Sequence, residues 1–233
     1  MTRSAMSAGM TRIGRGAAGA AVIAAAGLMT DCAGIGGALQ NAEYQSLVEV
    51  NSQYDGLENK SVAVLVDADL TTRHQFPTLV ATLAEGLSQR LAAKVPTAKV
   101  LPAAYGLTWQ YRTAQWDLLP YGEMCEQLKV DRIVHVDMFE YRLHPPGNRY
   151  EWEGVAGANI GLVESDGLDP DSFSDTYHIS VQYPTKAGYG PESITRQAVE
   201  TVLVNQFIEK TIWLFHFHEE PKYPDKYRPE LER

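Results

Sequence analysis

Residues 61–67 read SVAVLVD, a continuous run of β-branched and apolar residues on which the predicted fold depends. A strand that is apolar at successive positions buries both of its faces, as the central strands of parallel sheets do. The next segment, residues 76–95, repeats its apolar residues at helical spacing and is followed by Pro96. Its stripe consists of Phe76, Leu79, Val80, Leu83, Leu87 and Leu91. The sequence therefore predicts a buried strand followed by an amphipathic helix.

A second strand and helix follow the first pair. Residues 99–102, KVLP, are typical of a short strand, and residues 121–129 fit a short helix. The segment between them, 103–119, is predicted to be irregular and is rich in aromatic residues. The pattern then changes to long alternating segments, which predict strands over 133–143, 151–164 and 177–183. Pro191 indicates the start of a last helix that extends to about Phe217.

The predicted order of elements is β-α-β-α-β-β-β-α, and the fold class is α/β (α+β). Two strand–helix units followed by an antiparallel meander form one domain, in which helices pack on a mixed β-sheet. The crossover between the parallel strands is expected to be right-handed.

The first 31 residues have the pattern of an export signal. Arg3, Arg12 and Arg15 supply a cationic start, and the 13 residues from Ala17 to Met29 are uncharged and apolar. This run is shorter than the roughly 20 residues that a membrane-spanning helix needs. The chain thus divides into a signal peptide (1–31), a lipidated tether (32–60), an α/β envelope domain (61–218) and a polar C-terminal tail (219–233).

Cys32 lies in LMTDCAGIGG, directly after the apolar run, and this segment resembles a bacterial lipobox. Met29 and Asp31 depart from the usual Leu and small residue. The resemblance implies that Cys32 carries lipid and becomes the mature N terminus, with a glycine-rich spacer behind it. Ordinary cleavage nearby is one alternative, and a disulfide between Cys32 and Cys125 is another. If Cys32 is acylated, Cys125 is expected to be a buried thiol.

The charge balance argues against a nucleic-acid partner. The chain has 20 basic and 29 acidic residues, and residues 1–31 hold three of the basic ones and one of the acidic ones. The predicted mature chain is therefore more acidic still, whereas a nucleic-acid site needs a basic face. The sequence has no G-x-S-x-G, Walker A, C-x-x-C or H-E-x-x-H motif. We expect no cofactor and no metal.

The aromatic segment is the candidate partner surface. Trp109, Tyr111, Arg112 and Trp116 lie close together in it, and Trp, Tyr and Arg are enriched at the energetic centres of interfaces. The alternative is that both tryptophans pack on the core. We predict that Trp109 and Trp116 differ in role and that at least one contacts a partner.

Three further clusters favour structural interpretations. His135 and Asp137 share one face of a predicted strand, as a hydrogen-bonded or surface pair would. His216 and His218 would point to opposite sides of a regular helix, so they do not form a zinc site there. The acidic loop lacks the EF-hand pattern, and we predict that it is a solvated turn. Its acids are Glu164, Asp166, Asp169, Asp171 and Asp175.

Several stretches carry a family resemblance that covers about residues 60–218. SVAVLVDADL, KVLPAAY and CEQLKVDRIVHVDMFEYRL resemble the N-terminal α/β domains of the CsgG and TolB envelope proteins. In those domains a strand follows the second helix, and the matching positions here are Leu128, Val130, Asp131, Ile133 and Val134. The closing segment, with Phe215, His216 and His218, resembles the last helix of uncharacterised planctomycete-type lipoproteins. The aromatic segment and the absence of a pore-forming hairpin depart from the channel-forming branch.

The resemblance implies a non-enzymatic accessory domain of an envelope assembly or transport system. Its partners would be other envelope proteins, and a lipid anchor would hold it to the membrane, facing the periplasm. The alternative is a periplasmic enzyme or small-ligand-binding protein with an acidic pocket. A deep pocket with convergent titratable groups favours that alternative, and a shallow surface with exposed aromatic residues favours the interaction domain.

Overall fold

The computed structural model describes residues 43–224 and residue 226, and it has the predicted α/β fold with a mixed sheet. A five-stranded sheet has the order β3-β2-β4-β5-β6. The strands β3, β2 and β4 run parallel, and β4, β5 and β6 are antiparallel. The strands are β1 (Leu47–Val50), β2 (Ser61–Ala68), β3 (Lys99–Val100), β4 (Arg132–Arg142), β5 (Gly154–Glu164), β6 (Asp175–Tyr183) and β7 (His218–Pro221). The helices are α1 (Leu70–Gln75), α2 (Leu79–Lys94), α3 (Ala103–Arg112), α4 (Tyr121–Leu128) and α5 (Arg196–Ile212).

Each face of this sheet has its own hydrophobic core. On the first face, the long helices α2 and α5 cover alternate residues of β2, β4, β5 and β6, such as Val64, Val136 and Ile160. On the second face, α4 and the turn Trp116–Leu118 cover Leu65, Ile133 and their neighbours. The continuous apolar pattern of residues 61–66 follows from this position, because β2 is buried on both faces.

The segment 103–119 is helical, so the expectation of an irregular stretch is wrong. Helix α3 occupies Ala103–Arg112, and a 3₁₀ turn occupies Trp116–Leu118. Gln110 Nε2 donates a hydrogen bond to the Val66 carbonyl oxygen (3.1 Å), which the two-residue strand β3 is too short to reach. The helix therefore lies at the edge of β2, and it has no continuous apolar stripe because Tyr105 and Tyr111 are exposed.

The last helix is shorter than the predicted span from Pro191 to Phe217. Helix α5 begins at Arg196, and the Thr195 hydroxyl oxygen caps it by accepting a hydrogen bond from the Ala198 amide. The helix ends at Ile212 because a 3₁₀ turn follows, whose Leu214 carbonyl accepts hydrogen bonds from two backbone amides, those of Gln53 and Tyr54. His216 and His218 consequently lie outside the helix.

The described chain divides into two compact units. Residues Val50–His218 hold the five-stranded sheet and its helices. Tyr54 and Leu57, which lie in the predicted tether, are buried in the first-face core of this unit. In the other unit the segments around residues 43–49 and 219–226 meet, and the Lys222 amide donates to the Ser46 carbonyl oxygen (2.9 Å). The strands β1 and β7 form a two-stranded sheet. None of the helices within the described residues is both long and apolar enough to cross a bilayer.

Candidate functional site

A row of polar side chains crosses the second face of the sheet, one residue on each of four strands. Asp67 on β2 is paired in register with Asp137 on β4, which is paired with Asn159 on β5 and, through it, with His178 on β6. We call these four residues the polar row. His178 Nδ1 lies 3.3 Å from Asn159 Oδ1, and Arg73 forms an ion pair with Asp67. The row exists because neighbouring strands at equal register point their side chains to the same face.

Aromatic rings lie on glycines on both sides of the polar row. Phe139 stacks on His178, with ring centroids 4.8 Å apart and planes 14° from parallel. A Cβ atom at Gly157 would lie 2.5 Å from the Phe139 ring, so glycine is needed there for the ring to lie flat on the sheet. On the other side, Phe173 covers Gly161 in the same way. Phe139 nevertheless remains 45% exposed, so one aromatic ring is presented beside the row.

His135 lies next to the row, inside a cage of aromatic side chains. Its ring centroid is about 6 Å from the rings of Trp116, Tyr121 and Phe173. Burial lowers the pKa of His135, although the nearby carboxylates of Asp67 and Asp137 act in the opposite direction. The imidazole is therefore neutral at physiological pH and supports the cage. His135 and Asp137 share a face as predicted, but the first is mostly covered by aromatic rings while the second is exposed.

The carboxyl end of β2 and the middle of β4 form an open, acidic cavity beside the row. Its volume is about 580 Å³, and its acids are Asp67, Asp69, Asp117 and Asp137, with Arg73 as the cation. Asp69 also caps α1, because its carboxylate accepts hydrogen bonds from the Thr71 and Thr72 amides (2.7 and 3.0 Å). The Thr72 hydroxyl also donates to this carboxylate (2.7 Å), and this bond together with the amide bonds holds the pKa of Asp69 below its usual value.

Exposed apolar side chains surround this acidic cavity. Leu70 on α1 is 83% exposed, and Leu118, next to Asp117, is 74% exposed. Leu70 and Phe139 both line the cavity. Among the described residues, no three His, Cys, Asp or Glu side chains are grouped as metal ligands would be. The site thus combines exposed apolar groups, hydrogen-bonding side chains and negative charge.

The structure places the four residues of the predicted partner surface in different environments. Trp116 is buried in the second-face core, whereas Trp109 is partly buried, packs edge-on against Trp116 at 6.1 Å and donates its indole N–H to Gln127 (3.0 Å). Tyr111 is 91% exposed, and Arg112 is exposed beside it at the end of α3. Of the four candidates, Tyr111 and Arg112 are the ones that a partner can reach.

The remaining sequence candidates have structural partners or fall outside the described residues. Cys32 and the signal segment lie outside them. Cys125 is buried, and burial raises the pKa of its thiol to about 11. His218 stacks on Trp213 at 4.6 Å and is 5.9 Å from the ring of His216. The loop acids Glu164 and Asp166 form ion pairs with Arg132, and Asp171 accepts a hydrogen bond from the Gly122 amide (2.9 Å).

Sequence reasoning missed Asn159, His178 and Phe139 as site residues. The signal for them was present, because each occupies a polar-face position of an alternating strand. Finding the row, however, requires the register between strands, and a single strand's alternation does not specify register.

The fold and site place the chain among α/β proteins with a mixed sheet and helices packed against it. No protein-family model matches the chain, and no curated protein matches it. Solved structures resemble it distantly. The lipoprotein GNA1162 from Neisseria meningitidis is 13% identical, with a TM-score of 0.42, over 65% of this chain and 96% of that one. The PelC dodecamer from Paraburkholderia phytofirmans is also 13% identical, with a TM-score of 0.40, over 73% and 97%. The hypothetical protein CT253 from Chlamydia trachomatis is 13% identical, with a TM-score of 0.41, over 65% and 95%.

Proposed function

We propose that this chain is a lipid-anchored envelope protein whose folded body is a non-enzymatic interaction domain. The observation that carries the interaction role is the surface beside the polar row. There Leu70, Leu118 and Phe139 expose large apolar area next to four carboxylates. Exposed apolar groups that are bordered by polar ones mark interaction sites in soluble domains.

The charge of this surface specifies the partner. Asp67, Asp69, Asp117 and Asp137 outnumber Arg73, which is already paired with Asp67. A matching protein surface carries lysine or arginine side chains beside an apolar residue, since complementary charge speeds association and excludes wrong partners. The partner we propose is therefore another envelope protein with a basic and apolar patch.

The envelope address in this proposal rests on the N-terminal sequence. The cationic start, the apolar run of 13 residues and Cys32 directly behind it support export and acylation. Two or more acyl chains hold a protein firmly at a membrane, since each buried CH₂ contributes about 0.8 kcal/mol.

Site-specific photo-crosslinking tests the interaction role. A photoreactive residue at Leu118 or Leu70 is expected to crosslink one envelope protein, and the same residue at Leu168, which is fully exposed on the acidic loop, is the matched control. The charge reversal Asp117→Lys is expected to abolish the crosslink, and added salt to weaken it. Equal crosslinking from Leu168, or no effect of the charge reversal, would show that this surface is not the docking site.

Fractionation and mass spectrometry test the anchor separately. The wild-type chain is expected to sediment with membranes, resist salt extraction and dissolve in detergent, with lipid on Cys32. The Cys32→Ser variant is expected to remain uncleaved, and Asp31→Gly to be processed faster without a change of location. If the mature N terminus is unmodified and lies downstream of Cys32, the anchor proposal is wrong and the protein is a soluble periplasmic one.

A further inference from the structure

A second cavity lies between α2 and α5, the two helices that cover the first face of the sheet. Its volume is about 970 Å³, within the range of small-ligand sites. The helices approach closely at Gly86, where an added Cβ atom would lie 2.5 Å from Ile208 Cδ1. The groove is on the face opposite the polar row, so it is independent of the proposed docking surface.

The lining of the groove includes a tyrosine, Tyr141, whose ring is buried. Tyr141 is only 7% exposed and packs edge-on against Phe76, with centroids 4.7 Å apart. Its hydroxyl makes no hydrogen bond to any residue in the described part of the chain, and it is accessible from the groove, where water or a ligand can bond it. The side chain lines the groove. A molecule in the groove is therefore the partner that this hydroxyl can reach.

The hydroxyl stays protonated at physiological pH. Burial raises the pKa of Tyr141, and the nearby carboxylate of Glu200 raises it further, while Arg196 acts in the opposite direction. Tyr141 thus offers a neutral O–H group that can both donate and accept a hydrogen bond.

The charged side chains of the groove are already paired with one another or with amides. Arg196 Nε donates to Glu200 at 2.7 Å, and the Arg90 guanidinium donates to the Asn205 carbonyl and side-chain oxygens at 3.2 and 2.8 Å. The lining contains two arginines and two glutamates, so it has no excess of either sign. The other polar groups are amides and hydroxyls, including those of Gln75, Gln197 and Thr201.

We propose that the groove between α2 and α5 binds a neutral, hydroxyl-rich ligand, namely a saccharide chain, through a hydrogen bond to Tyr141. The two arginines and two glutamates of the lining are equal in number and are engaged in hydrogen bonds or an ion pair, so the groove offers an ionic ligand no excess of opposite charge. A saccharide instead can form hydrogen bonds with the amide and hydroxyl groups of the lining. Its less polar ring faces can lie along the apolar floor formed by Phe76, Val204 and Ile208.

Calorimetric titration of the full chain tests this proposal, in a detergent with no sugar head group. The probes are the neutral hexasaccharides of glucose and of N-acetylglucosamine, with hexagalacturonate as the anionic counterpart. Tyr141→Phe removes only the hydroxyl and keeps the ring, so the neutral probe is expected to bind roughly three- to tenfold more weakly. Thr201→Arg, at an exposed position of α5, is expected to block the groove and abolish binding.

The matched control is Tyr150→Phe, which removes a hydroxyl from a tyrosine that is 88% exposed elsewhere on the unit. It is expected to bind the neutral probe as the wild type does. Thermal unfolding of each variant separates loss of the site from loss of the fold. The proposal is wrong if no neutral hexasaccharide binds at millimolar concentration, if hexagalacturonate binds more tightly, or if Tyr141→Phe binds like the wild type.

Discussion

Replacing Arg132 by methionine is predicted to destabilise the fold much more than replacing the exposed Arg196 by methionine. The Arg132 side chain is only 6% exposed, at the start of β4. Its Nε donates to the Gly56 carbonyl oxygen (3.2 Å) and its Nη1 to the Asp131 carbonyl oxygen (2.9 Å). The guanidinium also forms ion pairs with Glu164 (3.4 Å) and with Asp166. Methionine preserves much of the apolar stem but removes all of these bonds.

The expected loss of stability depends on which hydrogen bonds and ion pairs each partner of Arg132 keeps after the substitution. The carbonyls of Gly56 and Asp131 lose buried donors, at about 1 kcal/mol each. Glu164 is 26% exposed and retains the hydrogen bond from Tyr54 (2.7 Å), while Asp166 is half exposed and retains Lys60 (2.7 Å). Because water reaches both carboxylates, the ionic part is smaller than for a fully buried pair. We expect a loss of about 3 kcal/mol, the lower end of the range for broken buried pairs.

Urea and thermal unfolding measure this loss. A loss of about 3 kcal/mol corresponds to a decrease in Tm of about 10 °C for a chain of this size. The control is Arg196→Met, whose side chain is 60% exposed and forms one ion pair with Glu200 within α5. It is expected to cost under about 0.5 kcal/mol. If the two variants lose equal stability, or Arg132→Met loses less than about 1 kcal/mol, the network around Arg132 does not support the fold as argued.

Three further predictions concern the core, the sheet and acid stability. Trp116→Ala is expected to lower the free energy of unfolding by about 3–5 kcal/mol, because the indole is buried. Tyr111→Ala, at an exposed side chain, is expected to change it by under about 0.5 kcal/mol, and urea unfolding measures both variants. Gly154→Ala is expected to cost about 1–3 kcal/mol in the same assay, since its Cβ atom would lie 2.6 Å from the Tyr183 carbonyl oxygen, and a neutral effect would contradict the close approach. Hydrogen bonds from Lys60 and Arg132 lower the pKa of Asp166 from 3.8, so its stabilisation is present above about pH 3.8 and is lost as pH falls toward the lower folded-state pKa. Acid titration of Asp166→Asn should therefore show a shallower loss of stability below pH 3.8 than the wild type, and identical curves would refute the role of Asp166.

Elements with strong periodicity could be predicted from the sequence. The run SVAVLVD required burial on both faces, and β2 has it, with Val64 on one face and Leu65 on the other. The alternation in residues 151–164 placed Ala158, Ile160 and Leu162 on one face, where they lie in the first-face core. These predictions are confirmed because periodicity in sequence maps directly onto faces of a strand or helix.

Helices without an apolar stripe were not predictable in this way. In α3, Tyr105 and Tyr111 are exposed, so its pattern resembled an irregular segment. Its helical form depends on the edge of β2, where Gln110 bonds the Val66 carbonyl. Likewise, the end of α5 depends on the bonds that Leu214 accepts from the distant Gln53 and Tyr54 amides.

The sequence by itself determined the order of the main elements, the mixed sheet and the signal pattern that precedes Cys32, because each is a local property of spacing and charge. Only the tertiary structure decided that Asp67, Asp137, Asn159 and His178 form one row, since that depends on the register of four strands. It also separated a caged His135 from an exposed Asp137, two residues apart on one strand. Register and enclosure arise from contacts between residues far apart in the chain, and a local pattern does not contain them.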